Sequence, residues 1–550
     1  MLAGFVHLVA SQVITRLLTF GLNIATARSL TPEAYGVAAV QFHLINTTIL
    51  FLAREGFRRA CLRIDQSTPH AARRTLRIAA LTVPAGALLS AAVTALLLRS
   101  VGGDDSAYRT ALVMQGAAAF LEILSEPLYI LAAARLQFGL RVAVETAAMG
   151  TKGLLTLSLV RRPDYPPAIA FSWAQLAYAG ITLLGYAAYF LPQLLRRAAA
   201  ASKQPALAAA TGAKQPAAAA VGSDGEILRL AGTFTLQAAE KLVLAEGSKM
   251  AVAAFQGSHD QGVYGLVSGL GSIVVRTLFQ PFEEAAFVAF SKEQGQGGTA
   301  PAALRRQSRL LAVLVRCITL VGLVAAAFGP AYSQLALLLL YGRRWADTEA
   351  PLALGLYSQY LVLLAANGCL EAFVHSVANA RQLAASNAWL VAFTAVHAGL
   401  SIAAVRTGGA ARLIAADGVN MLLRIAYCLA FTGDRFSSVP GFRLRQLLPS
   451  GATVGALAVA AAVTGASRLL LLPGSSALAA AAARSGLSVS GLLPAAMQQQ
   501  LAVQPFSVLA AAHMGIGAAC LAGVAAVAAR HERGILVEVR QLRRKGAKSA

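Results

Sequence analysis

The chain has 550 residues, 57% of them hydrophobic and only 13% charged, with a mean hydropathy of +0.62. Soluble domains carry roughly 25% charged residues, so this composition excludes an ordinary soluble fold and points to a polytopic membrane protein. The formal charge of +23 would suggest nucleic acid in a soluble chain. Here the basic residues gather at the ends of apolar runs, which makes them topology determinants and contacts for anionic membrane lipid, with no nucleic acid as partner.

A spanning helix needs about 20 apolar residues. With that ruler, spans are expected near 5–27, 35–53, 76–98, 109–133, 141–160 and 166–195. A second series is expected near 227–254, 262–290, 309–329, 352–376, 385–405 and 412–431, and two more near 448–472 and 503–529. The fold class is therefore all-α membrane, with about 14 transmembrane helices in two six-helix lobes plus two C-terminal helices. The expected division is an N-terminal lobe at 1–195, a cytosolic Ala-rich linker at 196–226 and a C-terminal lobe at 227–431. Residues 432–550 then hold the two extra helices and a basic cytosolic tail. Two sets of six spans around a linker suggest a duplicated transporter architecture. The first run, 5–27, lacks a basic leader and reads as a membrane helix rather than a cleaved signal.

Placing both termini in the cytosol puts more than twice as many Lys and Arg on the cytosolic connections as on the opposite ones, as the positive-inside rule requires. The clearest single junction is Phe51-Leu-Ala-Arg-Glu-Gly-Phe-Arg-Arg-Ala-Cys-Leu62, where an apolar span ends in Arg54, Glu55, Arg58 and Arg59.

Charges also remain inside the expected spans. The basic ones are Arg16, Lys152, Arg229, Lys241, Lys249, Arg276, Arg316 and Arg424. The acidic ones include Glu122, Glu126, Glu145, Glu240, Glu246, Glu283, Glu284, Glu371 and Asp417. Each costs about 2.5–3.5 kcal/mol at mid-bilayer unless it is paired or faces a wet cavity. Such a number argues for a hydrated cavity; intramembrane pairing, such as Glu246 with Lys249 one turn on, is the plainer account. In the eighth span Gly265, Gly269 and Gly271 allow close helix approach, and Pro281 predicts a kink just before Glu283 and Glu284. The five cysteines are scattered without CxxC spacing, and neither a disulfide framework, a metal site nor a cofactor site follows. Histidines form no HExxH, and neither a P-loop nor a GxSxG elbow occurs, so no enzyme chemistry is expected.

Five strings then become specific. They are Phe51–Leu62, Glu122-Ile-Leu-Ser-Glu-Pro127, Asp260-Gln-Gly-Val-Tyr-Gly265 continuing through Arg276 to Phe279-Gln-Pro-Phe-Glu-Glu284, Phe328-Gly-Pro-Ala-Tyr-Ser-Gln-Leu-Ala336 and Ala366-Asn-Gly-Cys-Leu-Glu371. In this order they resemble the eukaryotic Rft family, of the multidrug/oligosaccharidyl-lipid/polysaccharide flippase superfamily. The resemblance runs to about residue 430. It implies a protein of the endoplasmic reticulum membrane that carries dolichyl-diphosphate-linked oligosaccharide from the cytosolic to the lumenal leaflet for N-glycosylation. The alternative is a non-transporting accessory protein that works with glycan-assembly enzymes. An ion-coupled drug exporter on the same fold fits the basic residues less well. On the transporter reading, Arg16 and Arg276 are expected to clamp the diphosphate, since guanidinium binds phosphate oxygens in pairs. Arg54, Arg58 and Arg59 would gather the head group at the cytosolic mouth. Glu283, Glu284 and Asn367 would bind sugar hydroxyls or balance the arginines.

Overall fold

In lipid, every backbone N–H and C=O must find its partner within the chain, so long apolar runs fold as helices. The computed structural model describes residues 20–62, 64, 71–100, 105–135, 137–203, 224–295, 300–472 and 506–532, and every regular element among them is helical. We number thirteen long helices in chain order. α1 (Pro32–Cys61), α2 (Ala71–Ser100) and α3 (Ser106–Ala134) come first. They are followed by α4 (Phe138–Val160), α5 (Pro167–Lys203) and α6 (Asp224–Phe255). Next are α7 (Ser258–Gln294), α8 (Pro301–Tyr341), α9 (Ala350–Val377) and α10 (Ala380–Thr407). The last are α11 (Ala410–Arg435), α12 (Gly451–Leu471) and α13 (Phe506–His531).

The second to fourteenth expected spans each fall on one of these helices. The first lies mostly outside the described residues, which show its helical end over 20–29. Among the described residues, eleven helices are long and apolar enough to cross a membrane. α4 and α6 are long enough but carry too much charge: Arg141, Glu145 and Lys152 in one, and seven charges including Glu246 and Lys249 in the other.

The chain divides into two compact units, Met1–Met250 and Ala251–Ala550. In the first, α1 starts at Thr31, whose hydroxyl accepts the Ala34 N–H, with Pro32 in the opening turn. A π-helical turn at Val37–Phe42 widens it before it straightens to Cys61. α3 breaks at Ser125, because Pro127 has no N–H to continue the ladder. Ser125 Oγ caps the break by donating to the Glu122 carbonyl at 2.7 Å. The core forms where Ile49 and Ala53 of α1 meet Leu112, Ala119 and Ile123 of α3. Gly56 lets α6 approach closely: a Cβ there would run into the Ala231 carbonyl and Thr235.

In the second unit, α7 departs from regular α geometry just before Pro281, where a kink is expected. Pro281 frees the Thr277 carbonyl, and the helix takes a π turn over Val275–Phe279. α8 runs against α9 at small residues, with Gly322 facing the Val362 backbone and Gly355 facing Pro330. Pro330 also lacks an N–H, so the Ala326 carbonyl one turn earlier loses its helical partner. Gln359 Nε2 replaces it at 2.8 Å. α12 and α13 pack together and onto α8, through Leu457, Ala460 and Val524 against Leu320, Leu323 and Val324. There Arg468, 5% exposed, donates to the Pro330 carbonyl and to Gln334. His513, fully buried, stacks on Tyr332 at 4.2 Å and accepts or donates at Ser467 Oγ, 2.8 Å away.

Candidate functional site

The polar interior of the first unit is built from the Phe51–Leu62 string. Arg54 and Arg58 stand one turn apart on α1; Glu122 and Glu126 stand four residues apart across the break in α3. The two spacings match, and the side chains meet as a ladder. Arg54 Nη1 donates to Glu122 Oε1 at 2.7 Å. Arg58 holds Glu126 with both Nε and Nη2, the latter at 2.8 Å, and lies 4.0 Å above the Tyr129 ring. Glu126 is 1% exposed, so this carboxylate relies wholly on Arg58 and on Arg54, 3.7 Å away. Arg59 turns back to its own helix and pairs with Glu55 at 2.8 Å.

Beside the ladder lies a cavity of about 330 Å³ within this unit. Arg54 and Lys152 are its cations, and Asn46, Thr47, Gln115, Gln175 and His43 contribute its other polar atoms. Asn46 Nδ2 donates to Gln115 Oε1 at 2.7 Å, and Gln115 Nε2 to Ser172 Oγ at 3.2 Å, so three helices share one polar chain. Lys152 Nζ donates to Gln175 Oε1 at 2.6 Å. On the cavity's edge His43 Nε2 lies 3.2 Å from Glu246 Oε1 and 3.1 Å from Lys249 Nζ, which also bonds Glu246 at 2.8 Å. The expected Glu246–Lys249 pair is thus present, with His43 as a third member.

The second unit has its own polar cluster. Arg424 Nη2 reaches both oxygens of Glu371, at 2.7 and 2.5 Å. Asn367, one turn before Glu371, donates to it at 2.9 Å; its own Oδ1 is buried with no hydrogen-bond partner among the described residues. The Glu283 carboxylate lies against Gly368, where a Cβ would displace it, and forms no hydrogen bond or ion pair among the described residues. Nearby, Asp417 is held by His397 at 2.8 Å.

Of the residues singled out from sequence, Arg54 lines the first cavity, while Arg58 and Arg59 stand in ion pairs beside it. Asn367 and Glu283 gather around Glu371 in the second unit. Glu284 is exposed on α7. Arg276 is exposed in the π turn of the same helix and has no ionic partner among the described residues. Arg16 lies outside the described residues. Sequence reasoning passed over Asn46, Gln115 and Gln175, since it weighed charges and not amides within apolar spans; it noted Lys152 without giving it a role.

The profile of the Rft protein family matches residues 1–542. The chain is 32% identical over 470 residues to Man(5)GlcNAc(2)-PP-dolichol translocation protein RFT1 of Xenopus tropicalis, covering 84% of this chain and 87% of that one. The protein of the same name from Mus musculus is 31% identical over 474 residues, with the same coverage of 84% and 87%. That of Saccharomyces cerevisiae is 26% identical over 473 residues, covering 78% and 82%. Among solved structures, the lipid II flippase MurJ in an inward closed conformation is similar with a TM-score of 0.59 at 10% identity, over 96% of this chain and 99% of that one. An inward-facing multidrug resistance MATE family transporter of the MOP superfamily gives 0.53 at 13% identity, over 76% and 94%. At such identities the likeness is one of fold, and the fold is that of multi-span transporters. With the family profile matched over nearly the whole sequence, the chain belongs to the Rft protein family.

Proposed function

We propose that this chain translocates dolichyl-diphosphate-linked oligosaccharide from the cytosolic to the lumenal leaflet of the endoplasmic reticulum membrane, without catalysing a covalent step. The relatives' shared name supports the substrate. The observation that carries the reading is the half-open polar cavity among the long helices of the first unit, lined by Arg54 and Lys152. Such a cavity suits an anionic, glycosylated head group whose polyprenyl tail stays in lipid.

On this reading both termini are cytosolic, 196–226 is a cytosolic connection between lobes, and 432–550 carries the extra pair of helices. Arg276, an exposed guanidinium on a membrane helix, contacts phosphate oxygens, and Arg16 serves the same purpose. Arg54, Arg58 and Arg59 form the cationic wall at the entry side. Asn367, Glu283 and Glu284 meet sugar hydroxyls. The test is leaflet transfer in liposomes holding the purified chain and labelled dolichyl-diphosphate oligomannose, followed by access of an external lectin. Protein-dependent transfer, slowed in Arg276→Ala, is expected. Transfer equal to empty liposomes, with glycolipid still bound, would replace translocation by the accessory role alongside glycan-assembly enzymes.

A further inference from the structure

The two cations of the first cavity are not equivalent. Arg54 is neutralised in place by Glu122 at 2.7 Å and belongs to the ladder that ties α1 to α3. Lys152 sits mid-way along α4, half-buried, and its ammonium bonds a neutral amide oxygen, Gln175 Oε1. An ammonium has three N–H donors. Among the described residues no carboxylate lies within 4.0 Å of this one, and residues 1–19 contain no Asp or Glu. The other groups on the cavity wall, Asn46, Thr47 and Gln115, carry no charge. A cation costs about 2.5–3.5 kcal/mol within a bilayer unless something compensates it. Here the Tyr178 ring, 5.7 Å from the ammonium, compensates it only in part, the cavity lining supplies no carboxylate, and the space beside Lys152 is open.

We infer that Lys152 is a further binding residue for the anionic group of the transported molecule, a lipid-linked diphosphate ester, beside the arginines proposed above, and that Arg54 serves to hold the wall. The inference rests on the translocation reading for its lipid, and on the cavity for its charge. A compact ammonium with freely rotating donors accepts phosphate oxygens from several directions, which suits a group that must enter and leave. Gln175 keeps the Lys152 chain extended toward the cavity. The neutral amides around it donate to oxygen without holding the anion by charge.

The test uses the purified full chain in nanodiscs, titrated with citronellyl diphosphate and with inorganic diphosphate. Lys152→Gln should weaken citronellyl diphosphate about tenfold or more, the loss expected for one charged hydrogen-bonding contact. Lys152→Arg should bind within about threefold of the parent, because the charge is kept. Lys152→Gln should also melt like the parent, since no ion pair is broken, whereas Arg54→Gln should melt lower. Unchanged citronellyl diphosphate affinity in Lys152→Gln would overturn the assignment. Equal affinity for inorganic diphosphate would overturn the lipid part of it. Leaflet transfer separates the two claims. Parental transfer by Lys152→Gln would remove the anion site and leave translocation standing. Lys152-dependent binding without any transfer would remove translocation and leave the anion site.

Discussion

Both units bury arginine–glutamate contacts between membrane helices, and they balance charge in opposite ways. The first unit has two such contacts in a ladder, Arg54–Glu122 and Arg58–Glu126, and Lys152 is left over as a cation. The second joins α9 to α11 through Arg424–Glu371, with Arg306–Glu293 and Arg316–Glu532 elsewhere along α8, and leaves Glu283 as an acid beside Glu371. Depth differs as well: Glu126 is 1% exposed, whereas the Glu371 side chain is 23% exposed. A paired charge in lipid is part of the scaffold, because removing one partner strands the other. An unpaired charge contributes little to holding the helices and is free to meet something that comes and goes. The contrast therefore assigns scaffold duty to the ladder and ligand duty to the remainders.

The largest effect should come from the ladder. Arg58→Ala leaves Glu126 uncompensated and should cost about 3–5 kcal/mol of stability, read as a fall in melting temperature in detergent. Replacing both, Arg58→Met with Glu126→Met, should recover most of that loss. A single variant as stable as the parent would show that the ladder holds nothing. Next comes the glycine on the same helix. Gly56→Ala forces a methyl group onto the Ala231 carbonyl and Thr235, and should cost about 1–3 kcal/mol. Gly269→Ala in α7 meets open space and should stabilise by up to about 1 kcal/mol through helix propensity. Reversal of that order would contradict the close helix approach assigned to Gly56. The smallest effect is expected at Glu283→Gln, within about 0.5 kcal/mol, since no bond is lost. Glu371→Gln should cost clearly more, and equal losses would mean that Glu283 is paired after all.

Much of this fold is legible in the sequence, because a bilayer forces apolar runs of sufficient length into helices, and the irregular turn before Pro281 follows from one missing N–H. The Glu246–Lys249 pair is legible too, being local. The ladder is not. Its partners lie 68 residues apart, so Arg54 and Arg58 read as a basic cluster at a membrane edge until α3 is laid beside α1. Lys152 and Gln175 are similarly hidden: hydropathy averages over all faces of a helix, while a cavity is made by the one face that three or four helices share. Arg276 reads as a charge deep in a span, and the structure leaves it exposed in a π turn; what it faces depends on contacts that a linear string does not encode.

The joint between Arg468 and Pro330 bears on how the protein is made. The receiving carbonyl precedes its cation by 138 residues, which a ribosome takes on the order of ten seconds to add. α8 and its Pro330 carbonyl are therefore already made when α12 arrives with a charge that lipid disfavours. The acceptor waits for the donor. Insertion of the last pair of helices is in effect a docking reaction onto a prepared seat, in which the Pro330 carbonyl of α8 offsets the charge that α12 brings.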